Sequence, residues 1–301
     1  MKVGISMADP ARDLKELKRE KKFLIGIDSD GCAFDTMEIK HKECFIPKII
    51  KNWNLQAVSK YARETAEFVN LYSKWRGLNR FPALIKVFDL LADREEVKSR
   101  GFKLPEITSL RNWVETETKL GNPALEKKVK ETDDPILKIT LEWTRAVNET
   151  IADLVHGVPP YPYVRESLAK AQADAQLIVV SQTPTEALER EWAEHDLVKY
   201  LKVIAGQEMG SKGECLGYAK AAGKYQDDQV LMIGDAPGDL KAAQANRGLF
   251  YPINPSDEER SWQRFYDEAF AKFINGQYQG AYEAELIAEF ETYLPSTPPW
   301  Q

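Results

Sequence analysis

The sequence predicts an α/β fold: a parallel sheet covered by helices on both faces, with an all-helical second domain inserted into it. Three observations predict it. Five short runs rich in Val, Ile and Leu have strand length and little polar alternation, as strands buried on both faces do. From the second run onward they alternate with helix-length amphipathic stretches, the pattern of βαβ units. Between the first and second runs, all of residues 37–157 instead show apolar residues at three- and four-residue steps, the period of amphipathic helices.

The elements follow in order. The N-terminal "MADPARDLKELKREKK" is charged and carries no apolar signal-peptide region. "FLIGIDS" (23–29) is the first strand. The insertion contains "IIKNWNLQAVSKYARETAEFVNLYSKW", "FPALIKVFDLLADREEV", "ITSLRNWVETET" and "PILKITLEWTRAVNETIADLVHG", each read as helical. The Pro-rich "GVPPYPYVRESLAKA" marks the return to the sheet domain. "AQLIVVS" (175–181) is the second strand. "TPTE" then opens a helix over 184–196, with Thr183 as N-cap, Pro184 at the first helical position and Glu186 at the capping-box position. "LKVIAG" (201–206) is the third strand, and "SKGE" opens a helix over 212–223 with Ser211 as cap and Glu214 as its partner. "QVLMIGD" (229–235), a helix over 238–246 and "GLFYPI" (248–253) complete the sheet domain. Beyond it, Trp262, Phe265, Tyr266, Ala269, Phe270 and Phe273 share one helical stripe. That stripe is expected to pack on the domain's own core rather than on a partner. The expected organisation is residues 1–36 and 158–301 as the sheet domain, with a C-terminal helical extension over 256–301, and residues 37–157 as the helical domain.

Composition excludes several classes of function. The 301 residues are 43% hydrophobic and 29% charged, with a formal net charge of -6, so there is no basic footprint for nucleic acid or for an anionic membrane. No apolar stretch approaches the roughly 20 residues of a spanning helix. Cys32, Cys44 and Cys215 are far apart; they make neither a zinc spacing nor a disulfide framework, and the cytoplasm is the expected compartment.

In an open parallel sheet, ligands bind beyond the carboxyl ends of the strands. The first strand delivers Asp28 and Asp30 there, the second Ser181, the stretch after the third Lys212, and the fourth Asp235 and Asp239. Singly, each has a bland reading as a turn, cap or surface residue. Together they put four carboxylates in one crevice, where mutual repulsion needs more positive charge than one lysine supplies. A divalent metal is implied, and an all-oxygen site suits Mg²⁺. Metal, lysine, hydroxyl and helix N-terminus all stabilise phosphoryl oxygens. Asp28 is then placed to attack phosphorus and Asp30 to handle the proton.

These motifs resemble those of the haloacid dehalogenase-like hydrolase superfamily. "DSDGCAFDT" is similar to its first motif, "LIVVS" to the second, Lys212 to the third and "MIGDAPGDLKAA" to the fourth. Cys32 stands where Thr or Val is usual, and no Pro follows Lys212. The resemblance implies a Rossmann-like core whose helical insertion is a cap closing over the active site. It implies a phosphatase acting on a small phosphate ester through an aspartyl-phosphate. Asp28 would be nucleophile and Asp30 the acid and base. Mg²⁺ would be held by Asp28, Asp30 through its backbone carbonyl, and Asp235, with Asp239 in support; Ser181 and Lys212 would bind phosphate. Dehalogenating and phosphonate-cleaving relatives lack an acid at the position of Asp30, so its presence implies a monoester with an alcohol leaving group. A phosphomutase is the alternative, with His41 near the place of that group's cap histidine; a non-catalytic binding module on the same core is a more distant one. In the insertion, "SKWRGLNRF" (73–81) offers Arg76 and Arg80 for a second phosphate or a carboxylate of the substrate, against the simpler reading of a turn between helices.

Overall fold

The computed structural model describes residues 9–301. Five strands form one parallel sheet: β1 (Phe23–Ile27), β2 (Ala175–Val180), β3 (Leu201–Ala205), β4 (Val230–Gly234) and β5 (Leu249–Pro252), in the order β3-β2-β1-β4-β5. Every residue of β1, β2, β4 and β5 is buried, which explains their unbroken apolar runs. Ile27 pairs with Val179 on one side and Ile233 on the other. The carboxyl ends of the three central strands therefore lie level. The strand order reverses at β1, so the crevice beyond β1 and β4 is the switch point at which such sheets bind ligands.

The chain divides into two compact units, one with residues to Asp35 and Gly157–Thr292, the other with Thr36–His156 and Tyr293–Gln301. In the sheet unit, Ile25, Leu177, Val179 and Leu231 pack with Trp192 and Trp262. The aromatic stripe after β5 joins this core through Trp262, Phe265, Phe270 and Phe273, all buried. The helical unit has its own core around Trp53, Phe81, Phe88, Trp113 and Trp143. Its helices start where the side chains dictate. Asp134 accepts the N–H groups of Ile136 (2.9 Å) and Leu137 (3.0 Å) at the head of the helix Pro135–Leu154, and Asn79 accepts that of Phe81 (3.1 Å) at the head of Arg80–Asp93. No described helix is long and apolar enough to cross a membrane.

One boundary differs from the expectation. Residues 293–301 belong to the helical unit, not to the sheet domain's C-terminal extension. Trp300 supplies the reason: its ring meets Phe68 edge-on (5.5 Å between centroids) and lies under the Arg94 guanidinium (4.3 Å), while the Lys74 N–H donates to the Pro295 carbonyl (3.3 Å). The chain thus passes between the units three times, not two.

Candidate active site

The pairing of β1 runs one residue past the strand, with the Asp28 N–H donating to the Ile233 carbonyl at 3.0 Å. A tight loop follows. Asp28 Oδ1 accepts the Ser29 N–H (2.8 Å), the Ser29 carbonyl accepts from Ala33 (2.9 Å) and Phe34 (3.1 Å), and the Gly31 N–H donates to the Phe34 carbonyl (2.8 Å). Gly31 has φ 75°, a conformation in which a Cβ would be strained. Two indoles pin the loop from the helical layers: Trp192 Nε1 donates to Ser29 Oγ (3.0 Å) and Trp262 Nε1 to the Cys32 carbonyl (2.8 Å). The two acids therefore leave the strand on a fixed backbone.

Asp28, Asp235 and Asp239 each offer a carboxylate oxygen, and these lie within 4.8 Å of one another. Asp28 is 5% exposed and the other two are fully buried. Lys212, the first residue of the helix Lys212–Gly223, reaches two of them. Its Nζ lies 2.5 Å from Asp28 Oδ2 and 2.6 Å from Asp239 Oδ1. The expected capping box is present, with Ser211 Oγ accepting the Glu214 N–H (3.3 Å) and Glu214 Oε2 accepting the Ser211 N–H (2.8 Å); it fixes where Lys212 starts. Burial opposes the lysine's charge, but the Asp239, Asp28 and Asp235 carboxylates outweigh it and raise its pKa. Burial also pushes Asp239 up to about 6, with Asp28 adding to the shift and Lys212 countering it. The close contacts support a charged lysine between carboxylates.

Asp239 Oδ2 accepts the Ala236 N–H (3.1 Å), which turns its side chain back toward β4. A Cβ on Gly234 would meet Asp239 Cβ and Cγ at 2.3 Å, so only glycine leaves room there. Gly234→Ala is expected to displace Asp239 and lower stability by about 1–3 kcal/mol, as overpacking does. Denaturant unfolding of the purified variant measures it; an unchanged midpoint would show that the helix Pro237–Ala245 yields instead.

Ser181 follows β2, 3% exposed, with its N–H on the Ala205 carbonyl (2.9 Å). Asp30 stands apart from the buried triad, and its Oδ2 accepts a hydrogen bond from Thr183 Oγ1 (2.8 Å). Here the expected N-terminus is corrected. The helix is Thr185–Glu194, Pro184 precedes it in an extended conformation, and no side chain of its own cap residue bonds it. Glu208 accepts the Thr185 N–H (3.1 Å) and hydroxyl (2.9 Å) instead, while the Thr183 hydroxyl goes to Asp30. That first-turn N–H, expected to face phosphate, is thus held by a carboxylate.

Other expectations find different places. Cys32 is fully buried, and burial raises its thiol pKa far above the ordinary range, so it packs as a small apolar group. His41 stacks on Phe45 (4.7 Å) within the helical unit. Arg76 and Arg80, expected to meet substrate, make contacts inside the helical unit. Arg76 is 4% exposed and donates to the Leu71 carbonyl (2.7 Å). Arg80 donates to Thr144 Oγ1 (2.6 Å) and Asn148 Oδ1 (2.8 Å) and covers the Phe45 ring. Gly77, at φ 74°, makes the turn between helices. Both arginines hold helical packing together.

The donor set fits a divalent cation. Three buried carboxylates face one ammonium, which leaves an excess of negative charge away from water, and their oxygens suit a hard ion such as Mg²⁺. Both oxygens of Asp239 accept hydrogen bonds, as do both oxygens of Asp28; Asp239, fixed by the Ala236 N–H, steers Lys212.

A family model described as haloacid dehalogenase-like hydrolase matches residues 78–248, more than half of the chain. The match takes in Ser181, Lys212, Asp235 and Asp239 and begins after Asp28 and Asp30. No curated protein sequence matches the chain. Among solved structures, a haloacid dehalogenase-like hydrolase from Streptococcus pneumoniae is 14% identical, with 89% of this chain and 98% of that one covered and a TM-score of 0.45. A subfamily IA hydrolase of the same superfamily from Geobacter sulfurreducens is 16% identical, covering 78% and 88%, with a TM-score of 0.42. A protein from Haemophilus somnus, described as a predicted phosphoglycolate phosphatase, is 16% identical, covering 78% and 87%, with a TM-score of 0.46.

Proposed function

This chain belongs to the haloacid dehalogenase-like hydrolases, and from that premise we propose that it is a Mg²⁺-dependent phosphatase of small phosphorylated metabolites, working through an aspartyl-phosphate on Asp28. One observation carries the reading: Lys212 bridges Asp28 and Asp239 beside a buried Asp235, at the switch point of the sheet. An Asp28 oxygen attacks phosphorus while Asp30 gives its proton to the departing alcohol oxygen. Asp30 then takes a proton from the water that cleaves the aspartyl-phosphate and regenerates Asp28. Lys212 and the Ser181 hydroxyl hold the transferring phosphoryl oxygens, and Asp239 keeps Lys212 in line. Magnesium, held by Asp28, Asp235 and the backbone at Asp30, supplies charge neutralisation to the phosphoryl group when bound. Three free, buried cysteines fit a reducing compartment, the cytoplasm.

The test is turnover of p-nitrophenyl phosphate and of a panel of phosphorylated metabolites, with acid quenching to trap a phosphoryl-enzyme. Release of inorganic phosphate and a trapped acyl-phosphate are expected. Release of an isomeric sugar phosphate would give the phosphomutase, and no turnover would return a binding module. Dialysis against a chelator is expected to cut activity to about 1% or less, and Mg²⁺ to restore it. Ca²⁺ should not restore it, since its looser coordination relaxes the alignment. Full activity in excess chelator would overturn the metal's role.

A further inference from the structure

We propose that Thr183 is a positioning residue for the proton transfers of Asp30: its hydroxyl fixes the carboxyl group that acts first as acid and then as base. The proposal rests on the phosphatase reading above and goes beyond it, because nothing in the local sequence distinguishes Thr183 from a helix cap.

Thr183 Oγ1 donates to Asp30 Oδ2 at 2.8 Å, from a residue 153 positions away in the chain. The threonine's own backbone is anchored on both sides. Its N–H donates to Ser181 Oγ (3.3 Å), and its carbonyl accepts the Gln207 N–H (3.1 Å). The loop after β3 closes on it so tightly that a Cβ on Gly206 would lie 2.7 Å from the Thr183 carbonyl oxygen and 2.4 Å from the Thr185 nitrogen. Glu208 ties down the next turn through Thr185. The Thr183 hydroxyl is thus presented to Asp30 from a rigid platform of two loops, while Asp30 itself sits half-buried on the turn after β1.

The chemistry explains why the anchor is a hydroxyl. A neutral hydroxyl donates one hydrogen bond without imposing a charge. It donates to Oδ2 of Asp30 as a carboxylate and equally to Oδ2 as the carbonyl oxygen of the carboxylic acid, whose single proton stays on the other oxygen, free for the leaving group. Asp30 passes through both states in each turnover. As the Asp28 oxygen–phosphorus bond forms and the bond from phosphorus to the alcohol oxygen breaks, the Asp30 proton goes to that oxygen. As the water oxygen–phosphorus bond forms and the Asp28 oxygen–phosphorus bond breaks, the water's proton goes to Asp30. One fixed donor keeps the carboxyl group aimed through both steps; a cation in its place would favour the carboxylate alone.

The test reads the dependence on leaving group. The value of kcat/KM covers steps up to departure of the alcohol, so it reports the acid step alone. Nitrophenolate leaves without a proton, whereas an alkoxide needs one. Compare wild type, Thr183→Val and Thr183→Ser on an alkyl phosphate, phenyl phosphate and p-nitrophenyl phosphate. Valine keeps the branched shape and loses the hydroxyl. It is expected to cut kcat/KM on the alkyl phosphate about 100-fold, within the range general acid catalysis supplies, and on p-nitrophenyl phosphate by less than about threefold. Serine is expected to recover wild-type values to within about threefold. An equal loss on all three substrates in Thr183→Val would make Thr183 merely structural and overturn the proposal, as would no loss on any. Wild-type protein that hydrolyses none of the three would overturn the phosphatase reading itself, and this inference with it.

Discussion

Asp28→Asn is expected to lower kcat by at least about a thousandfold while the protein stays folded, because a lost nucleophile typically removes several orders of magnitude. The substitution nearly conserves shape. The asparagine oxygen can still accept the Ser29 N–H that Asp28 Oδ1 accepts at 2.8 Å, so the turn carrying Asp30 keeps its first hydrogen bond. What is lost is one charge of the buried triad and the 2.5 Å contact with Lys212. Lys212 retains Asp239 at 2.6 Å, so its ammonium remains paired and thermal stability should change little. The amide cannot form the aspartyl-phosphate, so acid quenching during turnover should trap no label on the variant. A purified variant that keeps more than about a tenth of the wild-type rate would remove Asp28 from the reaction.

How much of this was legible depends on where each residue's partners lie. The strands could be read because burial on both faces leaves runs such as "LIVVS" with no polar interruption, and the observed strands lie within those runs. Asp28, Asp235, Asp239 and Lys212 could be read because a parallel sheet carries its strand ends to one crevice wherever they fall in sequence. Thr183 could not. "TPTE" has the composition of a capping box, and only Asp30, 153 residues away, draws its hydroxyl off the helix. The contacts of Arg76 and Arg80 could not be read either. An arginine beside a glycine reads alike whether it faces a ligand or the core, and the acceptors that fix Arg80 lie 64 and 68 residues further on. The tail was illegible for want of length. "STPPWQ" has one large apolar side chain, Trp300, and its packing on Phe68 and Arg94 has no periodicity to announce it. Features set by local pattern or by topology were readable; those decided by one long-range polar contact were not.

Lys212→Met is expected to have the second large effect, on stability as well as on rate. It leaves Asp28, Asp235 and Asp239 buried together without the ammonium that two of them touch. Removing one partner of a buried ion pair costs about 3–5 kcal/mol, since the remaining charges stay out of water. Denaturant unfolding without metal should show a loss of that order, and Mg²⁺ should recover part of it by supplying the missing positive charge. The pH dependence has a defined sign. Asp239 is already pushed up to about 6 in the folded protein by burial, against the opposing pull of Lys212; without the lysine it must rise further. An unfolded aspartate titrates near 3.9. Between about pH 8 and pH 5 the folded variant therefore takes up protons that the unfolded chain does not yet bind, and its stability rises as pH falls. Wild type should lose rather than gain from the Lys212 side of the pair only at high pH: the lysine's raised pKa contributes stability below about pH 10.4 that disappears as pH climbs through the folded value. The gap between variant and wild type should thus narrow on acidification. A gap that stays constant from pH 8 to pH 5 would mean that Lys212 is not compensating buried carboxylates, and the charge argument for the metal would fall with it.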